Sequence, residues 1–395
     1  MSGIFSQIKA VVMMNVRSLP RRLWMSLAAI FAVSVVVAVL LSFLSMARGF
    51  QQTLEGTGSE DVAIVTRSGS RSELNSSLSR ETANIISTAP GIAQDGKGDP
   101  IYSAELYVIV DGIKRASQTE ANLPMRGISV EGFDLRDQVS ITEGRVFIPG
   151  NNEIIVGEGV LREFDGFELG KKIRFGKTEW EVVGVFSTGG SAFESELWAD
   201  ARTVQTQFQR GGFQTVRVRL AETGNVSGLI QMVEQDPRLI LDVETEADYF
   251  AEQGEALGAI VIIGWIISGV MALGSLAGAL NTMYTSVSSR AVEIATLRAL
   301  GFSNFSAFVG TLAESIVLSV VGGVLGALIS FGFMDGLSAS TMGASFTQVV
   351  FTFELTPELF QDGIFLALLI GVIGGFFPAW RAARLPVAIA FQRGN

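Results

Sequence analysis

From Trp24 to Ala47 the chain reads WMSLAAIFAVSVVVAVLLSFLSMA, an apolar stretch without a single charge. About 20 apolar residues in a helix cross a hydrocarbon core about 30 Å thick, so this stretch reads as a membrane span. It is longer than the apolar region of a signal peptide, and no clear small-residue cleavage site follows it. It therefore reads as a retained anchor. Three more windows qualify: Leu257 to Thr285, Phe305 to Met334, and Gly363 to Trp380. The window from Phe305 to Met334 carries one ionisable residue, Glu314. The predicted fold class is an α-helical membrane protein with four transmembrane helices and an α+β extracytoplasmic domain inserted between the first and second.

Flanking charge sets the orientation, because lysine and arginine concentrate on the cytoplasmic side. Lys9, Arg17, Arg21 and Arg22 precede the first span with no acidic residue among them. Arg290 and Arg298 lie between spans two and three, and Arg381, Arg384 and Arg393 follow span four. The segment between spans three and four carries Asp335, Glu354, Glu358 and Asp362 and no cation. The expected layout is a cytoplasmic amphipathic segment at 1–23, spans at 24–48, 257–285, 305–334 and 363–380, an external domain with its stalk at 49–256, a cytoplasmic segment at 286–304, an external loop at 335–362 and a cytoplasmic tail at 381–395.

Composition narrows the chemistry. Charged residues make up 17% of the 395, against about a quarter in ordinary soluble domains. The net charge of −10 speaks against nucleic acid, which requires basic patches. There is no Cys and no His, which removes disulfides, thiolate or imidazole metal sites and the Ser-His-Asp triad. No catalytic, cofactor or metal residues are expected. The acidity resides in the external domain: residues 49–255 hold 19 Lys and Arg against 33 Asp and Glu, a balance of −14. That excess reads as a solvated surface, or alternatively as a funnel for cations.

Within this domain, strands are expected at Asp61–Thr66, Tyr102–Val110, Glu153–Val156 and Val216–Leu220, Asn122–Val130 is expected to lead into another strand with Met125 and Gly127 near a turn, and helices are expected at Glu73–Ser87, Gly159–Asp165 and Val226–Gln235. Lys172–Phe175 and Trp180–Phe186 bracket Gly176-Lys177-Thr178, a hairpin signal. Ala247–Glu255 is polar and free of proline, so a helix there is expected to feed into span two as a stalk.

Two short segments stand out. After span two comes Asn281-TMYTSVSS-Arg290-AV-Glu293-IATL-Arg298-AL-Gly301. On a helix Val287, Ile294 and Leu297 fall near one face, Arg290 and Glu293 are surface neighbours, and Gly301 stops the helix. This is an interfacial linker or a docking element for a cytoplasmic protein. At the end of span four, Pro378 is expected to break or kink the helix, with Arg381 and Arg384 one turn apart at the interface. They either snorkel to lipid headgroups or join the docking surface. Glu314 reads as a structural hydrogen-bonding group, a proton relay being the alternative. Gly274 with Gly278 and Gly322 with Gly326 are candidate helix-packing sites. No G-x4-G-K-[ST] phosphate loop occurs, so any ATP is bound elsewhere.

These segments resemble the MacB/FtsX/LolCE-type permeases of ABC transporters. The pattern N-x-M-x-x-S-V-x-x-R-x-x-E-I-x-x-x-R-A-x-G is met from Asn281 to Gly301. The pattern P-A-x-R-A-A-R-L-x-P is met from Pro378, except that Pro386 follows Leu385 directly. The stretch from Glu153 to Phe186 is similar to the family's external domain. The resemblance implies that Arg290, Glu293, Ile294, Leu297, Arg298 and Gly301 form the coupling helix that sits in a groove of an ATPase. It also implies a dimer of an ABC ATPase subunit carrying ATP and Mg, a permease homodimer in the bacterial inner membrane, and export or efflux through a periplasmic adaptor and outer-membrane channel. The family's other branches are regulators of external cell-wall hydrolases and lipoprotein-sorting permeases.

Overall fold

The computed structural model describes residues 4–18, 23–255, 258–334, 337–342 and 348–385. In chain order the elements are α1 (Ile4–Ser18), α2 (Leu23–Glu55), β1 (Val62–Arg67), α3 (Arg80–Ser87), β2 (Tyr102–Lys114), β3 (Glu120–Ile128), β4 (Ser140–Gly144), β5 (Glu153–Gly157), α4 (Glu158–Glu163), β6 (Phe164–Asp165), β7 (Lys172–Phe175) and β8 (Thr178–Ser187). There follow β9 (Leu197–Asp200), α5 (Ala201–Gln207), β10 (Thr215–Arg219), α6 (Ser227–Gln235), β11 (Leu241–Thr245), α7 (Glu246–Glu255), α8 (Gly258–Ser289), α9 (Ala291–Ala299), α10 (Asn304–Met334), β12 (Ser338–Met342), β13 (Gln348–Thr352) and α11 (Pro357–Arg384). They fall into two compact units.

The helical unit comprises Met1–Ala47, Ala259–Leu337 and Glu354–Asn395. Among the described residues, α2, α8, α10 and α11 are the helices long and apolar enough to cross a membrane. Each is longer than its apolar window. The 33 residues of α2 span about 50 Å at about 1.5 Å per residue, well beyond one hydrocarbon core. The core gathers Val33, Val37, Leu40 and Leu41 of α2 with Ala327 of α10 and Leu366, Ala367 and Ile370 of α11. Small residues let the helices approach closely. A Cβ on Gly322 would meet the Ile30 carbonyl at 2.7 Å, and one on Gly371 would meet Ser319 at 2.9 Å. Gly326 lies similarly against the Ser34 carbonyl. Gly274 and Gly278 face open space instead, so the packing expected of them is not met within the described chain. Pro378 does not break α11, which continues to Arg384.

The sheet unit comprises Arg48–Gly258 and Ser338–Phe353. Its strands run in the order β11-β1-β10-β2-β3-β9-β5-β8-β4, with β6 beside β2 and β7 beside β8. Pairings are antiparallel except β3 with β9 and β5 with β8. Two apolar clusters fill it. One is built on Trp180, Phe164, Phe167, Leu106 and Met125. The other is built on Ile86, Ala63, Val65, Val216 and Leu229. The β7–β8 hairpin turns at Gly176, whose φ of +61° suits glycine.

Met125 and Gly127 lie inside β3 and not near a turn, and three further elements differ from expectation. The stretch Glu73–Ser87 is not one helix. Glu73–Asn75 forms a single 3-10 turn, and α3 starts at Arg80, capped by Ser79 Oγ, which accepts from the Thr82 amide at 3.0 Å. Between them Ser76 Oγ accepts from the Arg67 amide, and Leu78 bridges to Phe213, so tertiary bonds displace helical ones. The stretch Gly159–Asp165 divides into α4 and the short strand β6. The segment 335–362 is not a plain loop. Its β12–β13 hairpin belongs to the sheet unit, where the Val350 amide donates to Ser195 Oγ at 2.8 Å and Phe351 meets Phe50 edge-on. Residues 357–362 already belong to α11. The expected junction of α7 with span two, and the tail beyond Leu385 with Pro386, lie outside the described residues.

Candidate functional site

The segment between spans two and three is a distinct short helix rooted on a buried arginine. The span helix α8 extends to Ser289, four residues beyond the expected limit, and the chain breaks at Arg290 (φ −106°, ψ 11°) before α9 begins. Val287 thus lies on the last turn of α8 and not on the helix that carries Ile294. Their side chains still meet, in a cluster with Ala382 of α11. Gly301 ends the segment with φ +95°, the Phe302 amide reaching back to the Leu297 carbonyl at 3.1 Å.

Arg290 is 4% exposed. Its Nη1 donates to Glu314 of α10 at 3.2 Å, its Nη2 to Asn15 of α1 at 2.6 Å, and its Nε to Glu293 at 3.0 Å. Ser286 Oγ donates to the other oxygen of Glu314 at 3.4 Å. One guanidinium therefore joins α1, α9 and α10, while its carboxylate partner on α10 binds the end of α8. Glu314 is thus hydrogen-bonded to the end of α8, and its charge is balanced by Arg290.

This corrects the expected contact surface. Arg290 and Ile294 are buried and cannot be touched from outside. Leu297 and Arg298 are half-buried, and Arg298 Nη1 donates to the Leu385 carbonyl, tying α9 to the end of α11. The exposed face of α9 instead presents Val292, Glu293, Thr296 and Ala299, continued by Leu300, which is 73% exposed. Arg381 and Arg384 are exposed, and their guanidinium groups lie over Tyr284 and Trp380.

A second polar centre, in the sheet unit, was not anticipated from sequence. Arg126 of β3 donates to Glu73 at 2.6 Å, Glu105 of β2 at 2.9 Å and Glu196 at 2.6 Å. Arg217 of β10 donates to Glu105 at 2.6 Å, Glu73 at 2.8 Å and Glu246, the first residue of α7, at 2.7 Å. Arg136 closes the set on Glu105 at 2.7 Å. Tyr249 Oη, one turn further along α7, accepts the Glu73 amide at 3.0 Å. All seven charged side chains are buried. Burial pushes the Glu73 and Glu105 carboxyls up, but the arginines beside them outweigh it and hold both well below the usual range. The only sequence signal was a charge between apolar neighbours inside a strand, as in Val216-Arg217-Val218. Among the described residues, no group of acidic side chains is arranged to hold a metal.

The model of the MacB-like periplasmic core domain matches residues 26–236, more than half the chain, and that of the FtsX-like permease C-terminal matches residues 265–387. The chain belongs to the MacB/FtsX-type ABC transporter permeases. The first match takes in most of the sheet unit, and the second takes in α9 and Arg290. This permease is 24% identical to the macrolide export ATP-binding/permease protein MacB 1/2 of Paracoccus denitrificans, over 93% of its own length and 56% of that protein's. It thus spans little more than half of that relative. It is 23% identical to YvrN of Bacillus subtilis, an uncharacterized ABC transporter permease, over 91% of its own length and 93% of YvrN. Among solved structures, the extracellular domain of YknZ from Gram-positive bacteria matches at 16% identity and a TM-score of 0.35, covering 47% of this permease and all of that domain. The assignment rests on the family models.

Proposed function

We propose that this permease couples ATP hydrolysis by an ABC ATPase to movement of its periplasmic domain, for export or efflux across the bacterial inner membrane. The observation that supports this most is α9. It is a short helix whose root is fixed by Arg290 to two other helices and to the end of α8 through Glu314, and whose outer face is left bare. A docking helix must be rigid at its base, so that displacement of its tip is passed to the spans rather than absorbed. The ATPase, with its ATP and Mg, binds the face of Val292, Glu293, Thr296 and Leu300. In this reading α1, α9 and the tail are cytoplasmic and the sheet unit is periplasmic, where an adaptor and outer-membrane channel receive the cargo. Two copies associate through α8, whose Ile262, Ile266, Val270 and Leu273 form an exposed stripe.

The test is ATP turnover by the reconstituted complex, with and without the permease. Glu293→Lys and Leu300→Asp are expected to lower permease-dependent turnover while membrane insertion is retained. Turnover indifferent to both substitutions would remove α9 as the docking element.

A further inference from the structure

Among the described residues β11 ends the sheet, with no strand beside one of its edges. The register fixes which groups that edge offers. The Ser68 amide donates to the Ile240 carbonyl at 3.0 Å, and Thr66 and Ile64 stand opposite Asp242 and Glu244. Antiparallel pairs alternate between bonded and non-bonded, so Asp242 and Glu244 bond to β1 while Leu241 and Val243 turn their N–H and C=O groups outward. Beside this edge a cleft of about 800 Å³ opens between α6 and α7.

Sheet edges are commonly blunted by lysine, proline or a bulge. The sequence of β11, LDVET, contains neither lysine nor proline, and its pairing with β1 is regular. Ile240 beside it is 68% exposed, and Ile230 on the facing helix is 38% exposed. The rest of the cleft is acidic. Asp242 and Glu244 come from the strand, Glu252 from α7 and Glu234 from α6, with Arg71 the single cation among the lining residues. Asp242 already accepts from Ser68 Oγ and the Gly69 amide. Glu244 is pushed up to about 7, by burial first and then by Glu252, Asp248 and Asp242. A second copy of this chain would set these carboxylates against their own kind, and so does not suit the edge.

We propose that the β11 edge takes an extended, basic segment of a partner polypeptide as an added strand, its lysines or arginines over Asp242, Glu244 and Glu252 and its alternate apolar residues against Leu241 and Val243. Strand addition draws affinity from main-chain bonds and selectivity from alternate side chains, and both halves are in place here. The proposal stands whether or not α9 docks an ATPase.

The test uses the full chain in phosphatidylcholine nanodiscs with fluorescent peptides. The expected result is that acetyl-KVKVKVK-amide binds at pH 7.5 and slows hydrogen exchange at the Leu241 and Val243 amides, whereas EVEVEVE does not bind. The double substitution Glu244→Gln with Glu252→Gln should weaken binding at least tenfold, and lowering the pH to 5.5 should weaken binding to the unmodified chain. Equal binding of the grouped peptide KKKKVVV would reveal capture by charge alone and overturn the strand assignment. Failure of the alternating peptide to bind, or binding without protection of those two amides, would overturn it as well.

Discussion

Arg217 and Arg290 are both buried arginines that join distant parts of the chain, yet their surroundings differ. Arg217 lies within a sheet and meets Glu73, Glu105 and Glu246, all nearly inaccessible. Arg126 shares Glu73 and Glu105 with it, and Arg136 shares Glu105, so the charges form one linked set. Arg290 lies at a helix break. One of its two carboxylates, Glu314, is buried, while the other, Glu293, has 59% of its side chain in solvent. The first arrangement cements a sheet. The second holds a surface helix in place while leaving one arm of the pair free to rearrange. A buried ion network is weak evidence of net stability, because desolvation offsets much of the attraction, but removing one partner is costly.

The largest expected effect tests the cemented side. Arg217→Ala leaves three buried glutamates short of a cation and should cost about 3–5 kcal/mol, as for other broken buried pairs. Chemical denaturation followed by the fluorescence of buried Trp180 and Trp198 would measure it, and a loss near zero would contradict the network. Acid should loosen the same centre. Glu73 and Glu105 are held below their unfolded values near 4.5, so their contribution is present above that pH and is lost as the pH falls through the folded values.

Arg290→Leu should cost less, about 3 kcal/mol, the low end for a broken buried pair, because Glu314 is the one carboxylate it strands, together with the Asn15 amide oxygen. Adding Glu314→Leu should recover most of that loss, since an apolar pair of similar size replaces the ions. No single substitution among the partners of Arg217 should rescue Arg217→Ala. Equal rescue in both regions would show that the two arginines are held alike. Glu293→Lys should change stability by less than about 0.5 kcal/mol, as befits an exposed site, while lowering permease-dependent ATP turnover. A large stability loss would mean that the exposed arm of Arg290 matters more than its burial suggests.

The smallest effect belongs to Glu244. Its folded value of about 7 lies above the unfolded 4.5, so its contribution is fully present below 4.5 and is lost as the pH rises through 7. Glu244→Gln should therefore raise the melting temperature slightly at pH 8 and leave it unchanged at pH 4. An identical shift at both values would show that Glu244 does not titrate where its surroundings imply.

Local patterns along the chain are enough to place the four spans, the large domain between the first two, and the segment from Asn281 to Gly301. Each rests on a local signal: an uncharged apolar window, a charge bias beside it, or a glycine that can take positive φ. The tertiary structure alone decided which charges are buried. Arg217 and Glu73 are 144 residues apart, and Arg290 and Asn15 are 275 apart. Read locally, each of these arginines and glutamates belongs in water, because an isolated charge in the interior is prohibitively costly. Only when the chain brings its partners within hydrogen-bonding distance does burial become tolerable. The same holds for the hairpin at 338–352, whose place in the sheet unit depends on residues far from it in sequence, and for the exposed face of α9, which is whatever α1, α10 and α11 leave uncovered.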